Sequence, residues 1–270
     1  MFKILFLGDI VGKLGRCALQ AFLPGYKAEQ QIDIVIANVE NLSHGAGITQ
    51  TAMQEIERAG VDAFTSGNHV WDNPNGVALF EDPKWKDRLV RPANLRRQDP
   101  GQGFIRLPIN NRKDLCLINL SGQLGMHEQG PIENPFHTLD TLLESRAHER
   151  TPITIVDLHA EYTSEKEALG HYADGRVAAI LGTHTHIQTS DAKLLPNGTA
   201  YCTDVGRVGS HHSVLGFEKN SAIKRFLSNS NTPYELERSG EAEICGVLLD
   251  IEEETCQATS IRAIRELIVV

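Results

Sequence analysis

The 270-residue sequence has no apolar run near the ~18 residues that a membrane span requires. The opening "MFKILFLGDIVGKLG" is uninterrupted only from Ile4 to Leu7, meets Asp9 at once and offers no small-residue cleavage site. Neither a spanning helix nor a signal peptide is therefore expected. The cysteines, Cys17, Cys116, Cys202, Cys245 and Cys256, form no CxxC pair. An odd, scattered set argues against a disulfide framework and a thiolate zinc knot, and it suits buried thiols in a reducing cytoplasm. Positive charge is also short: 26 Lys and Arg stand against 35 Asp and Glu, a formal charge of −9. Nonspecific affinity for nucleic acid comes from cationic neutralisation of phosphates, so none is expected here. Linkers and internal repeats are missing too, and we expect a single domain over residues 1–270.

What is present is enough apolar residue, 41% of the chain, to bury a sizeable core. Short β-branched runs, "KILFLGD", "DIVIANVEN", "DAFTSGNH", "LCLINLSG", "ITIVDLHA", "VAAILGTHTH" and "AYCTDVG", each end in a polar or glycine-containing turn. Runs of this length, apolar on both faces, read as buried strands. Helical patterns lie between them. "TAMQEIERAG" predicts a capping box of Thr51 and Gln54 with a stop at Gly60, and "SEKEALGHYADGR" predicts another of Ser164 and Glu167. "NPFHTLDTLLESRAHER" puts Phe136, Leu139, Leu142 and Leu143 on one helical face. "EICGVLLDIEEET" and "ATSIRAIREL" predict a terminal hairpin. The alternation indicates an α/β fold with mixed sheet. Arg96–Gly103, Ser121–Pro135 and Gly206–Ser221 read as loops.

Chemistry collects at the predicted strand ends. Asp9 closes the first strand, Glu40 and Asn41 the second, Asn68 and His69 the third, His159 a middle strand, and His184 with His186 the next. In open α/β sheets ligands gather outside the carboxyl ends of strands. Singly, each has an ordinary role: Asp9 in a turn, Asn41 and Asn68 in turns, His159 as a satisfied core histidine. Glu40 is harder to dismiss, because a carboxylate after "IVIANV" must be paired or bind a cation. Together, imidazoles, carboxylates and amide oxygens are the donor set of zinc, iron, manganese and similar ions. In extended chain, His184 and His186 at i and i+2 would share a face, a spacing suited to two adjacent ions.

The ordered motifs "GDIVG", "VEN", "GNHVWD", "DLHAE" and "GTHTHIQT" resemble the calcineurin-like metallophosphoesterase superfamily, most closely its YmdB-like branch. "RPAN", "TSEKEALG", "DGR" and "YCTDVG" extend the likeness along nearly the whole chain. The chain departs from the general superfamily pattern where Asp9-Ile10-Val11 lacks the usual histidine and Val39-Glu40-Asn41 replaces a Gly-Asp motif, departures the branch shares. The resemblance implies a four-layer α-β-β-α sandwich with mixed sheets and a dinuclear centre. It implies one metal on Asp9, Glu40, Asn41 and His186, and another on Glu40, Asn68, His159 and His184, with Glu40 the bridge. It further implies iron, with manganese, zinc, cobalt or nickel as alternatives, and it implies homo-oligomers, for which the chain shows no heptads.

The resemblance also implies the activity: hydrolysis of small cyclic nucleotides, 2′,3′-cyclic and also 3′,5′-cyclic, through a bridging hydroxide with His69 as proton donor. Phosphomonoesterase or RNA-processing nuclease activity is the enzymatic alternative, and a regulatory protein with incidental catalysis the non-enzymatic one. Arg207, His211 and His212, in the predicted loop after "TDVG", are further candidates for substrate contact, as are His44 and His127.

Overall fold

The computed structural model describes residues 1–95, 99–109, 113–126, 131–145, 152–228 and 234–270. Within them the chain runs β1 (Phe2–Ile10), α1 (Gly12–Gln30), β2 (Ile34–Asn38), α2 (Gln50–Ala59), β3 (Ala63–Thr65), a 3-10 turn (Asn68–Trp71) and α3 (Pro74–Val77). It continues through β4 (Phe104–Pro108), β5 (Asp114–Ser121), α4 (Pro135–Glu144), β6 (Ile153–His159), α5 (Thr163–Tyr172), β7 (Ala179–Thr183), β8 (Lys193–Leu194) and β9 (Ala200–Cys202). β10 (Arg207–Ser210), α6 (Lys219–Ser228), β11 (Glu241–Ile251) and β12 (Ala258–Val269) complete it.

Two sheets form, in strand order β12-β11-β10-β1-β2-β3 and β4-β5-β6-β7-β9-β8. Side chains alternate across each strand, so one strand feeds two cores. Ile4 and Phe6 of β1 meet Leu115 and Leu117 of β5 and Ile153 and Ile155 of β6 between the sheets. Leu5 and Leu7 turn the other way onto α1 and α2. Ile118, Val156 and Leu158 pack outward against Leu139 of α4 and Leu169 of α5. Three apolar layers therefore separate four layers of structure, as the resemblance implies.

In each sheet the central ladder is parallel: β3-β2-β1-β10 in one, β5-β6-β7-β9 in the other. β11 runs antiparallel along β1 from Phe2 to Leu7, where β10, parallel to β1 only at Asp9 and Ile10, does not reach; the other antiparallel pairs, including the expected β11-β12 hairpin, lie towards the edges. The carboxyl ends of β1, β2, β3, β6 and β7 consequently project the candidate site residues into one region. The β1-β2 register shifts between Leu7 and Asp9, a bulge of the kind that re-aims a side chain, and Asp9 is fully buried beside it.

Several local expectations need correction. α2 is capped by Thr49, whose side chain accepts from the Ala52 amide, and not by Thr51, although Gly60 does end it in a left-handed turn. α5 begins at Thr163 without a side-chain cap; in place of a Ser164 and Glu167 box, the Glu165 carboxylate accepts from the Gln123 and Leu124 amides. The sequence pattern also passes over α1, whose Gly12, Gly15, Pro24 and Gly25 dilute its helical signal. Gly15 is needed because a Cβ there would collide with the Val208 carbonyl of β10. The Gly206–Ser221 stretch is not one loop, since it contains β10 and the start of α6. No helix among the described residues is long and apolar enough to cross a membrane.

Candidate metal centre

Asp9, Glu40, Asn41, Asn68, His159, His184 and His186 converge, from five strand ends, on one buried region. His159 occupies its middle. Its Nδ1–H meets the Thr183 hydroxyl at 2.9 Å, and that hydroxyl donates to Asp157 at 2.7 Å. This chain of hydrogen bonds turns Nε2 inward, where it lies 3.1 Å from a Glu40 oxygen, 3.0 Å from Asn68 Oδ1 and 3.1 Å from His184 Nδ1. A single Nε2–H cannot serve all three acceptors. Four donor atoms with converging lone pairs are, by contrast, what a metal ion requires.

His186 gives the same result independently. Its Nδ1–H donates to the Leu215 carbonyl at 2.8 Å, which leaves Nε2 as a lone pair in the neutral ring. Nε2 faces Asn41 Oδ1 at 3.1 Å, and that amide is oriented by its NH2 donating to the Gly45 carbonyl at 3.0 Å. Two acceptors thus oppose each other with no proton between them. Asp9 Oδ1, fully buried, has no hydrogen-bond partner, while Asp9 Oδ2 accepts from the His184 amide at 3.1 Å. Ligand atoms of Glu40, His159 and His184 lie within 4.8 Å of one another, as do those of Asp9, Glu40 and His186. Glu40 belongs to both groups, and the donor set fits a pair of ions.

Electrostatics follows from burial of these charges. Burial alone would push the His159 proton off, but the adjoining Glu40 carboxylate outweighs it and carries the imidazole up to about 9. Glu40, despite its own burial, is held far below the usual carboxylate range by that same cation. Burial and the His159 charge push His184 down to about 3, and burial lowers His186. Burial raises Asp9 well above its ordinary value.

His69 follows Asn68 at the rim, about one-third exposed, with its backbone amide donating to Glu40 at 3.1 Å and its Nδ1 2.7 Å from Asp72. Gly67 before it has no room for a side chain, because a Cβ would run into the Glu40 carboxylate and the His159 ring.

A family model described as YmdB-like protein matches residues 5–264. The chain belongs to the YmdB-like family. A Bacillus subtilis (strain 168) protein named 2′,3′-cyclic-nucleotide 2′-phosphodiesterase is 40% identical over 262 residues, 97% of this chain and 96% of that protein. A solved Thermus thermophilus structure titled as a hypothetical protein superposes with a TM-score of 0.89 at 37% identity, covering 98% of this chain and 99% of that one. A Mycoplasma pneumoniae structure titled as a novel phosphatase gives 0.89 at 34%, covering 98% and 93%. This YmdB-like chain is a hydrolase of the metallophosphoesterase type.

Two expectations about residues change. His184 and His186 do not share a face through extended geometry: both follow the end of β7, with φ of 99° and 62° in the left-handed region. Their orientation comes from the turn and its hydrogen bonds. Arg207 is not a loop residue. It begins β10, is buried, pairs with Glu243 at 2.9 Å and donates to the His186 carbonyl at 2.9 Å. His211 and His212 do follow β10, where they approach Glu241 and Glu243 outside the convergent set. His44 is exposed, and His127 lies outside the described residues. The sequence reading assigned no role to Asp72, Asp157, Thr183 or Glu161, whose carboxylate lies 3.1 Å from His184 Nε2. Each stands within a quoted motif, but only its hydrogen bonds distinguish it from a neighbour.

Proposed function

We propose that this chain is a metal-dependent phosphodiesterase acting on small cyclic nucleotides, with 2′,3′-cyclic nucleotides the primary substrates and 3′,5′-cyclic ones secondary. The observation that carries the reading is the convergence of lone pairs in two groups sharing Glu40. The phosphodiesterase named above supports the substrate class at 40% identity. Asp9, Glu40, Asn41 and His186 would hold one ion, and Glu40, Asn68, His159 and His184 the other, iron being the expected metal. Ions held by these residues would supply neutralisation of phosphoryl charge and a lowered pKa for the attacking water.

The protein's own groups divide the remaining work. Thr183 and Asp157 fix the His159 tautomer, and the Leu215 carbonyl fixes that of His186, so both rings present a lone pair inward. Asp72 holds His69 through Nδ1, leaving Nε2 to deliver a proton to the departing alkoxide. A cavity of about 1150 Å³ lined by Lys13, Ser43, His44 and Tyr234 opens beside the loops after β1 and β2, and none of the seven converging residues lines it. We place the enzyme in the cytoplasm.

Metal analysis after purification without added ions, followed by reconstitution with iron, manganese or zinc, tests the reading. About two ions per chain and restored turnover of 2′,3′-cyclic AMP and bis-nitrophenyl phosphate are expected. Fewer than one ion, or turnover indifferent to metal, would overturn it. Faster hydrolysis of nitrophenyl phosphate than of both diesters would make it a phosphomonoesterase.

A further inference from the structure

The turn from His184 to His186 follows Thr183, the last residue of β7, and both of its histidines adopt left-handed backbone that a non-glycine residue occupies only when its surroundings enforce it. Ionisable side chains from four different places do so. Lys166 Nζ of α5 donates to the Thr183 carbonyl at 2.8 Å. Asp9 accepts from the His184 amide at 3.1 Å, Asp204 from the Thr185 amide at 3.0 Å, and Arg207 donates to the His186 carbonyl at 2.9 Å. Three of these groups belong to buried ion pairs: Lys166 with Asp204 at 2.8 Å, with side chains 1% and 0% exposed, and Arg207 with Glu243 at 2.9 Å, at 5% and 7%.

A buried ion pair seldom repays its desolvation, so its presence twice around one turn calls for a role other than stability. We propose that Lys166–Asp204 and Arg207–Glu243 are positioning pairs that hold His184 and His186 in the left-handed turn, each pair governing one imidazole and hence one of the two metal positions. Lys166 and Asp204 act on Thr183 and Thr185, which flank His184. Arg207 acts on His186 itself. The motifs "TSEKEALG" and "YCTDVG" thereby gain a purpose, since Lys166 and Asp204 are their charged cores. Arg207 also donates to the Ser210 carbonyl at 3.0 Å, and Arg265 to Glu243 at 2.8 Å, which keeps the second pair fixed at both ends.

The inference rests on the proposed two-metal reading. It is tested by titrating Mn2+ calorimetrically into metal-free protein. The variants are Lys166→Met with Asp204→Asn and Arg207→Met with Glu243→Gln, each removing a whole pair so that no buried charge is left alone. Cooperative thermal melts establish that each variant is folded; where a double variant does not fold, Asp204→Asn or Glu243→Gln alone takes its place. Each pair's removal is expected to weaken one of the two binding steps about tenfold or more, the usual cost of losing a partner behind a ligand, and to leave the other within about threefold. In a His184→Ala background the Lys166 and Asp204 changes should have no further effect on the remaining step, whereas the Arg207 and Glu243 changes should still weaken it. Folded variants with both steps unchanged, or both weakened equally, would overturn the proposal. Wild-type protein that takes up no pair of ions would instead overturn the two-metal reading.

Discussion

Around His159, burial of the Glu40 carboxylate is offset by an imidazole whose proton is held up to about 9, whereas Asp9, 3.9 Å from the same ring, is pushed toward its neutral form by burial. One half of the centre balances its charge with a cation and the other by resisting ionisation. The difference places protons on the lone pairs that the proposed ions would occupy, so the two would compete there. Glu40, shared by both halves, is where the two solutions meet.

Breaking that shared point should have the largest effect. Glu40→Gln removes the carboxylate common to both groups, and we expect loss of both ions and a fall in kcat/KM of about 10³-fold or more, measured by metal analysis and 2′,3′-cyclic AMP turnover. Retention of two ions in this variant would refute the shared role. Removing one half at a time comes next: His184→Ala and His186→Ala should each retain about one ion per chain while turnover falls by about 10²-fold or more.

His69 belongs to neither half. His69→Ala should keep the metal content of the wild type and slow poor-leaving-group esters by about 10²-fold, with a much smaller effect on activated aryl esters. Equal slowing of both ester classes would exclude proton donation.

The smallest effect is on the pH dependence of stability, and it bears on the two halves directly. His159 has a folded-state value near 9, above its ordinary 6.5, so its contribution to stability is complete below about pH 6.5 and is lost as pH rises through 9. The raised Asp9 acts in the same sense. Metal-free protein should therefore show a Tm that falls by a few degrees between pH 7 and 9.5, and loading with metal should flatten that slope. A metal-free Tm rising over this interval would contradict the assignment.

Much of this was legible in the chain because strands and ligands leave short-range marks. β-branched runs ending in Asp, Glu, Asn or His predicted most of the central strands and picked out the seven residues that the fold brings together. The misses have physical causes. β10 has only four residues, two of them Val208 and Gly209, and is a strand because β1 and β11 offer it ladders. α1 carries an internal Pro24 yet forms because Leu14, Ala18, Leu19 and Leu23 are buried against the sheet. Tertiary packing overrode local propensity at both.

The pair His184 and His186 divides the two sources of information most clearly. The chain alone dictates which donors are present and that strand ends would bring them to one region, because alternation and chemistry are local properties. It could not dictate how the two imidazoles diverge, since a period-two rule holds only in extended backbone and this turn is left-handed at both residues. That conformation is set by Lys166, Asp9, Asp204 and Arg207, which reach the turn from α5, β1, the segment after β9 and β10. Hydrogen bonds to a backbone turn from such separate parts of the chain exist only once both sheets are assembled.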